Sequence, residues 1–265
     1  MNNPSKNQLL FLKQQKKHRR IVSYSRILVF VVFLLIWELS SYFGLIDSFI
    51  FSSPSQVILC FWGMVLDGSI FLHIGITLYE TIISFILVTI LSILVATLLW
   101  FSRKLLEITE PFLVALNSLP KSALAPLLIV WLGATPTTII VAGMSVALFG
   151  SILTMTTTFQ EVDPDKIKLI YTLRGNRIQA LTKVVIPSSV PVIVSNMKVN
   201  IGLCLVGVII GEFLAARNGL GYLIIYSSQV FKLDWLLMSI CILCILAMGL
   251  YALINGLEKL YQKKF

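Results

Sequence analysis

Charged residues are scarce in this 265-residue chain, and their scarcity excludes most soluble classes of protein. They make up 12% of the sequence, whereas hydrophobic residues make up 57% and the mean hydropathy is +0.92. A soluble domain typically carries about twice that charged fraction. The composition therefore excludes a soluble enzyme, a disordered chain and a DNA-binding domain, and it predicts a protein that crosses a membrane several times.

Histidine and cysteine are also few, and one nucleotide-binding motif is missing. The two histidines, His18 and His73, are far apart, and Cys241-x-x-Cys244 lies in an apolar run without a second cysteine pair. These patterns favour neither a catalytic site nor a metal site. No stretch matches Gly-x-x-x-x-Gly-Lys-Ser/Thr, the loop that holds a triphosphate. We therefore expect a chain that is not an enzyme and binds no cofactor, with any ATP on a separate subunit.

Long uncharged segments are what the chain has instead. A membrane-crossing helix needs about 20 apolar residues. The uncharged stretch 122–160 is too long for one span, and its Gly-Ala-Thr-Pro sequence at 133–136 divides it. We predict an all-α transmembrane fold, with a short interfacial helix near residue 60 and six spans at about 27–46, 75–101, 111–132, 136–160, 190–214 and 235–257.

The positive charge is unevenly distributed, and this predicts the orientation. The net charge is +9, and seven basic residues but no acidic residue lie in 1–26, whereas 47–70 contains no Lys or Arg. Basic segments usually stay cytoplasmic and face anionic lipid. We predict a cytoplasmic tail (1–26) that does not bind nucleic acid, a first transmembrane helix (27–46) and a permeation core (47–265), with both termini cytoplasmic.

The segment 163–187 is the one organised polar stretch, and we call it the knob. It opens with Asp-Pro, a typical helix start, and Gly175 with the next asparagine interrupts the helix. A second short helix would carry Ile178 and Leu181 on one side and end at Pro187. Such a knob could rest on lipid headgroups, or a soluble partner could grip it.

The knob resembles the cytoplasmic motif of permease subunits of ATP-binding-cassette (ABC) importers, and the branch looks like the nitrate, sulfonate and taurine permeases. Aligned on Pro187, Lys168 stands where that family has Glu and Arg174 where it has Gly, with Gly175 one place later. The turn can still form if Gly175 or Asn176 takes a left-handed conformation. The stretches 53–57, 118–133 and 212–222 also follow the family's patterns.

The resemblance implies a six-helix type I ABC importer permease (MetI-like) fold in a bacterial cytoplasmic membrane. Its implied partners are cytoplasmic ABC ATPase subunits, a second permease subunit in a homodimer or heterodimer, and an extracytoplasmic substrate-binding protein. The loop 159–189 would then couple the chain to the ATPase. The coupling residues that we expect are Lys168, Thr172, Leu173, Arg174, Gly175, Arg177, Ile178, Leu181 and Pro187.

Few charges lie inside the predicted spans, which makes each a candidate for function. Glu38 lies within the first span, and Glu80 is expected near the membrane interface. Lys198 could attract an anion or extend toward the cytoplasm. We assign Lys198 and Glu212 to the translocation path. Small residues at the 207–211 Gly-x-x-x-Gly motif could pack at a dimer centre or within the chain.

The function that these features predict is that of a membrane-spanning permease subunit in an ATP-driven importer. The chain would form the solute path and transmit the motion of the ATPase. The family suggests a small organic or inorganic anion, such as a sulfonate, taurine or nitrate, or a vitamin precursor of the thiamine or riboflavin type. An ion-gradient-driven secondary transporter and a non-transporting membrane scaffold are the alternatives.

Overall fold

The computed structural model describes residues 6–47 and 51–262, and this part of the chain is helical and contains no β-strand. Residues 1–5 of the predicted tail, residues 48–50 and the terminal residues 263–265 lie outside it. In chain order the helices are α1 (Lys6–Tyr42), α2 (Pro54–Leu66), α3 (Ser69–Phe101), α4 (Arg103–Ser118), α5 (Lys121–Leu132), α6 (Pro136–Gln160), α7 (Pro164–Thr172), α8 (Arg177–Ala180), a π-helical turn (Leu181–Val185), α9 (Ile186–Ala215), α10 (Leu220–Gln229) and α11 (Leu233–Gln262).

Five helical stretches of the described chain are long and apolar enough to cross a membrane. They are α1 from Arg20 onward, α3, α6, the continuous stretch from α8 to α9, and α11. Helices α4 and α5 meet at an angle of 96° and supply a sixth span if they are counted as one. The bend follows from Pro120, since a proline disfavours helical backbone at the residue before it and Leu119 is extended.

Helix α1 runs without a break through the predicted boundary between tail and first span. Its intramembrane carboxylate, Glu38, reaches the start of α2. The backbone N–H of Ser55 donates to Glu38 Oε2 at 3.1 Å, and the Ser55 hydroxyl donates to Oε1 at 2.7 Å. The first N–H groups of a helix lack partners within it, so Glu38 stabilises the short helix that we expected in this region.

The centre of the bundle is formed by α3, α6 and α9, which pack against one another. The glycine motif of α9 makes the closest approach possible. A Cβ at Gly207 would lie 2.8 Å from the carbonyl oxygen of Ala142, and one at Gly211 would lie 3.1 Å from the Ala142 side chain. The motif therefore serves a contact with α6 of the same chain.

Two features of the backbone differ from the sequence-based expectation. The knob's second helix does not end at Pro187, because the π-helical turn carries it into α9. Within that turn the N–H of Ile186 donates to the carbonyl of Leu181, five residues earlier, and this wider turn accommodates the proline that follows. Helix α10, which we did not predict, lies between the last two spans and packs against α9 and α11.

Candidate functional site

Helix α7, the first helix of the knob, has a well-defined cap at each end. At the start of α7 the Asp163 carboxylate accepts the N–H of Asp165 at 2.9 Å. At its end the N–H of Arg174 donates to the carbonyl of Tyr171 at 2.9 Å, and the N–H of Gly175 donates to the carbonyl of Ile170 at 2.8 Å. This pair of bonds is the Schellman arrangement, which needs a left-handed residue directly after the helix.

The left-handed residue of this turn is Arg174, with φ of 59°. Our expectation that Gly175 or Asn176 would take this conformation is therefore wrong, since Asn176 has φ of −99° and Gly175 has no positive φ. Gly175 is needed for space instead, because a Cβ there would lie 2.8 Å from the carbonyl oxygen of Ile170. Arg174 thus occupies, with some backbone strain, the position at which the resembled family has glycine.

Helix α8 is short but closed at its start by a reciprocal cap. The Asn176 side chain accepts the N–H of Gln179 at 2.8 Å, and the Gln179 side chain accepts the N–H of Asn176 at 2.9 Å. This capping box satisfies two backbone donors that would otherwise lack a partner. The direction in which α8 leaves the turn is thereby fixed.

The base of the knob is bound to the membrane helices. The guanidinium Nη1 of Arg177 donates to the carbonyl of Phe101 at 2.9 Å, at the end of α3. Leu181 is 6% exposed, and Ile186 and Ile193 of α9 pack against the buried cluster to which it belongs. The other buried members come from α3, α6, the loop after α6 and the π-helical turn: Ala96, Met155, Phe159, Val162 and Val185. A displacement of the knob is therefore passed to α3, α6 and α9 together.

The outer face of the knob leaves large apolar side chains exposed. Leu169, Leu173 and Ile178 are 58%, 72% and 63% exposed, and we call these three residues the apolar face. Ile178 and Leu181 do not share a surface, because Leu181 is buried beneath the knob. The remaining predicted coupling residues, Lys168, Thr172 and Pro187, are exposed, and Lys168 pairs with Asp165 at 3.0 Å on the surface.

Lys198 lies between α9 and α11 and has protein partners there. Its ammonium donates to the Asn255 side chain at 3.0 Å and forms an ion pair with Glu258. The Lys198 side chain is 16% exposed. Its charge is thus balanced within the chain, which weakens the case for Lys198 as a free anion site.

Glu212 lies at the end of the bundle opposite to the knob and is fully buried. Its Oε1 accepts the hydroxyl of Thr77 at 2.7 Å, and its Oε2 accepts the N–H of Gly221 at 2.5 Å. The carboxylate thus joins α3 to the first turn of α10, where a negative charge is favourable.

Glu80 of α3 is a partner of this site that the sequence did not reveal. We expected it near the membrane interface and gave it no role in the site, and it is 1% exposed and contacts Glu212. A signal was present in the spacing, since His73, Thr77 and Glu80 follow the i, i+4, i+7 pattern of one helical face. His73 Nδ1 indeed lies 3.0 Å from the backbone nitrogen of Gly219.

Comparison with known proteins decides the family. Residues 88–265 match the family model described as the binding-protein-dependent transport system inner membrane component. This chain belongs to that family. The permease is therefore a multi-pass membrane protein and a transport subunit of an ABC importer, not an enzyme, as the sequence predicted.

The names of curated relatives of the permease refer to several different solutes. The putative aliphatic sulfonates transport permease SsuC of Bacillus subtilis is 25% identical over 75% of this chain and 72% of the relative. The riboflavin transport system permease RibX of Chloroflexus aurantiacus is 27% identical over 87% of this chain and 86% of the relative. The formylaminopyrimidine transport permease ThiX of Halalkalibacterium halodurans is 24% identical over 88% of this chain and 92% of the relative.

A solved structure confirms the predicted fold. The MetNI methionine ABC transporter in an inward-facing conformation matches with a TM-score of 0.61 at 18% identity, over 69% of this chain and 91% of that chain. The permease therefore has the MetI-like fold of ABC importers.

Proposed function

We propose that the permease transmits the motion of a cytoplasmic ABC ATPase to the solute path through the apolar face of the knob. The observation that carries this proposal is the difference in exposure between the top and the base of the knob. Leu173 and Ile178 are exposed, while Leu181 beneath them is buried against α3, α6 and α9. A surface that is apolar, rigidly supported and exposed in the isolated chain is typical of a protein-binding site.

The knob would move with the membrane helices as one rigid element rather than act as a flexible linker. When two ATPase subunits close on ATP, they would move the knobs of two permease subunits. The hydrogen bond from Arg177 to Phe101 and the packing of Leu181 would carry this displacement into the bundle. The path would then change from inward-open to outward-open, with both termini of the chain on the cytoplasmic side.

The solute that we propose is a small organic or inorganic anion or a vitamin precursor. The support is the solute classes named for the relatives, which differ among themselves. An extracytoplasmic binding protein would set most of the selectivity. Lys198 would border the path in partnership with Glu258, and Glu212 would support it from within the bundle.

A substitution on the apolar face tests the docking step. We expect Ile178→Asp and Leu173→Asp each to reduce the ABC ATPase that copurifies with the full-length chain by at least about tenfold, since a buried carboxylate without a partner is costly at an interface. The measurement is co-purification from detergent-solubilised membranes, with membrane insertion checked in parallel.

The matched control is Leu66→Asp, which makes the same change at an exposed leucine of α2 outside the knob. It should leave ATPase recovery unchanged. Normal recovery with Ile178→Asp and Leu173→Asp would contradict docking on this face, and an equal loss with Leu66→Asp would show that the effect is not local.

A further inference from the structure

Two carboxyl groups meet in the interior of the bundle, at the end opposite to the knob. Glu80 projects from α3 and Glu212 from α9, and their side chains are 1% and 0% exposed. The two side chains contact each other, and Thr77, three residues before Glu80 on the same helix, donates to Glu212 Oε1 at 2.7 Å. Two ionised carboxylates in contact repel strongly where water is excluded, so the pair needs a proton or a cation.

The surrounding donors show which group is the acceptor. Thr77 Oγ1 accepts the N–H of Leu220 at 2.8 Å, so its own hydroxyl proton is directed to Glu212 Oε1 at 2.7 Å. The N–H of Gly221 donates to the other oxygen, Oε2. Both oxygens of Glu212 thus accept hydrogen bonds, which is the environment that favours the ionised form.

Glu80 has the opposite environment. Its Oε2 has no hydrogen-bond partner within the described residues, and Glu80 borders a cavity of about 200 Å³ that the loops at 134–135 and 216–218 also line. Helix α6 contributes Pro136 and Ile139 to this cavity, neither of which is charged. A buried carboxyl that receives no hydrogen bond from a donor favours the protonated form, which can itself donate to a neighbouring carboxylate.

Other titratable groups nearby do not replace the proton. His73 of α3 is engaged with the backbone of Gly219, and Tyr222 of α10 stacks on its ring. Arg217 lines the same cavity, but within the described residues it forms no ion pair with Glu80. The remaining groups that contact the pair are the neutral donors of Thr77 and the α10 backbone.

We propose that Glu80 and Glu212 form a proton-binding latch. Glu80 carries the proton and donates it to the Glu212 carboxylate, and this hydrogen bond fastens α3 to the segment where α9 turns into α10. Loss of the proton leaves two negative charges in contact and releases the fastening. The native chain therefore binds a proton at neutral pH that the unfolded chain gives to water, so its stability falls as the pH rises.

Two substitutions that make the same chemical change distinguish the two carboxyls. In Glu80→Gln the amide N–H₂ can still donate to Glu212, so the chain should fold and its unfolding temperature should lose the dependence on pH that the wild type shows. In Glu212→Gln the amide N–H₂, a donor, must face another donor, either the hydroxyl of Thr77 or the N–H of Gly221. The unfolding temperature should therefore be lower at every pH.

The measurement is thermal unfolding of the full-length chain in lipid nanodiscs from mildly acidic to mildly alkaline pH. Glu107→Gln, at an exposed acid, should keep the wild-type profile.

Infrared difference spectroscopy on the same samples locates the proton directly. We expect a carboxylic-acid C=O band in the wild type at a pH where surface acids are ionised, its loss in Glu80→Gln and its retention in Glu212→Gln. A wild-type chain without that band, or a Glu80→Gln chain with the full wild-type pH dependence, would overturn the latch. A band that disappears in Glu212→Gln and persists in Glu80→Gln would place the proton on the wrong carboxyl and overturn the assignment.

Discussion

The knob and the turn between α9 and α10 solve the same local problem in opposite environments. Each places a residue of positive φ between two helices, Arg174 just after α7 in the knob and Gly219 at the N-cap of α10 in the turn. In the knob the turn is exposed and its donors are satisfied by a surface asparagine and glutamine. In the α9–α10 turn the partner is the fully buried Glu212. The burial of each turn, rather than the chemistry of its cap, therefore decides which substitutions the turn tolerates.

The largest loss of stability should come from adding one methyl group to the buried turn between α9 and α10. Gly219 has φ of 116°, and a Cβ there would contact the Glu212 carboxyl group. We expect Gly219→Ala to lower the free energy of unfolding by about 3 kcal/mol or more, from backbone strain together with overpacking. Chemical unfolding in mixed micelles measures this.

Gly249→Ala is the matched control, since nothing lies within 4 Å of a Cβ added at that position and its φ is not positive. It should change stability little. Equal stability of the two variants would show that the buried turn tolerates a side chain at Gly219.

The next largest loss of stability is expected at the base of the knob, and the top of the knob should lose much less. Leu181→Ala should cost about 3 kcal/mol, because the side chain is buried in the cluster that joins α3, α6 and α9. Ile178→Ala, at the exposed face, should change the free energy of unfolding by less than about 0.5 kcal/mol and act on ATPase association instead. If Ile178→Ala destabilises the isolated chain as much as Leu181→Ala, the apolar face is part of the core.

A smaller effect is expected at the capping box of α8. Asn176→Ala should cost about 1 kcal/mol, because it removes the acceptor of the Gln179 N–H. Gln179→Ala tests the reciprocal bond, and the double variant should lose less than the sum of the two single losses. Strict additivity would show that the two side chains do not act as one cap.

The smallest expected change is a gain in stability. Arg174→Gly places at the left-handed position the residue that adopts it without strain, and we expect about 0.5 kcal/mol of added stability after the larger entropy of the unfolded chain is offset. Arg174→Lys, which keeps the strain, should leave stability unchanged. A loss of stability in Arg174→Gly would mean that the arginine side chain itself holds the turn.

The sequence was sufficient for features that depend on neighbours along the chain. Uncharged runs predicted the spans, and Asp163 with its proline predicted the start of α7. Features that depend on distant residues were missed. Glu80 is buried because α9 brings Glu212 to it. The left-handed conformation of Arg174 is local but was also missed, since the neighbouring glycine, Gly175, is needed for space beside the Ile170 carbonyl and not for a positive φ.

ATP-driven uptake by the reconstituted complex tests the central claim most directly. Proteoliposomes would contain the permease, its ATPase and its binding protein with loaded solute, and uptake would be compared between the wild type and Ile178→Asp. The account predicts uptake that requires ATP in the wild type, none with Ile178→Asp, and none in the wild type from an ion gradient alone. Uptake that an ion gradient drives without ATP would contradict it.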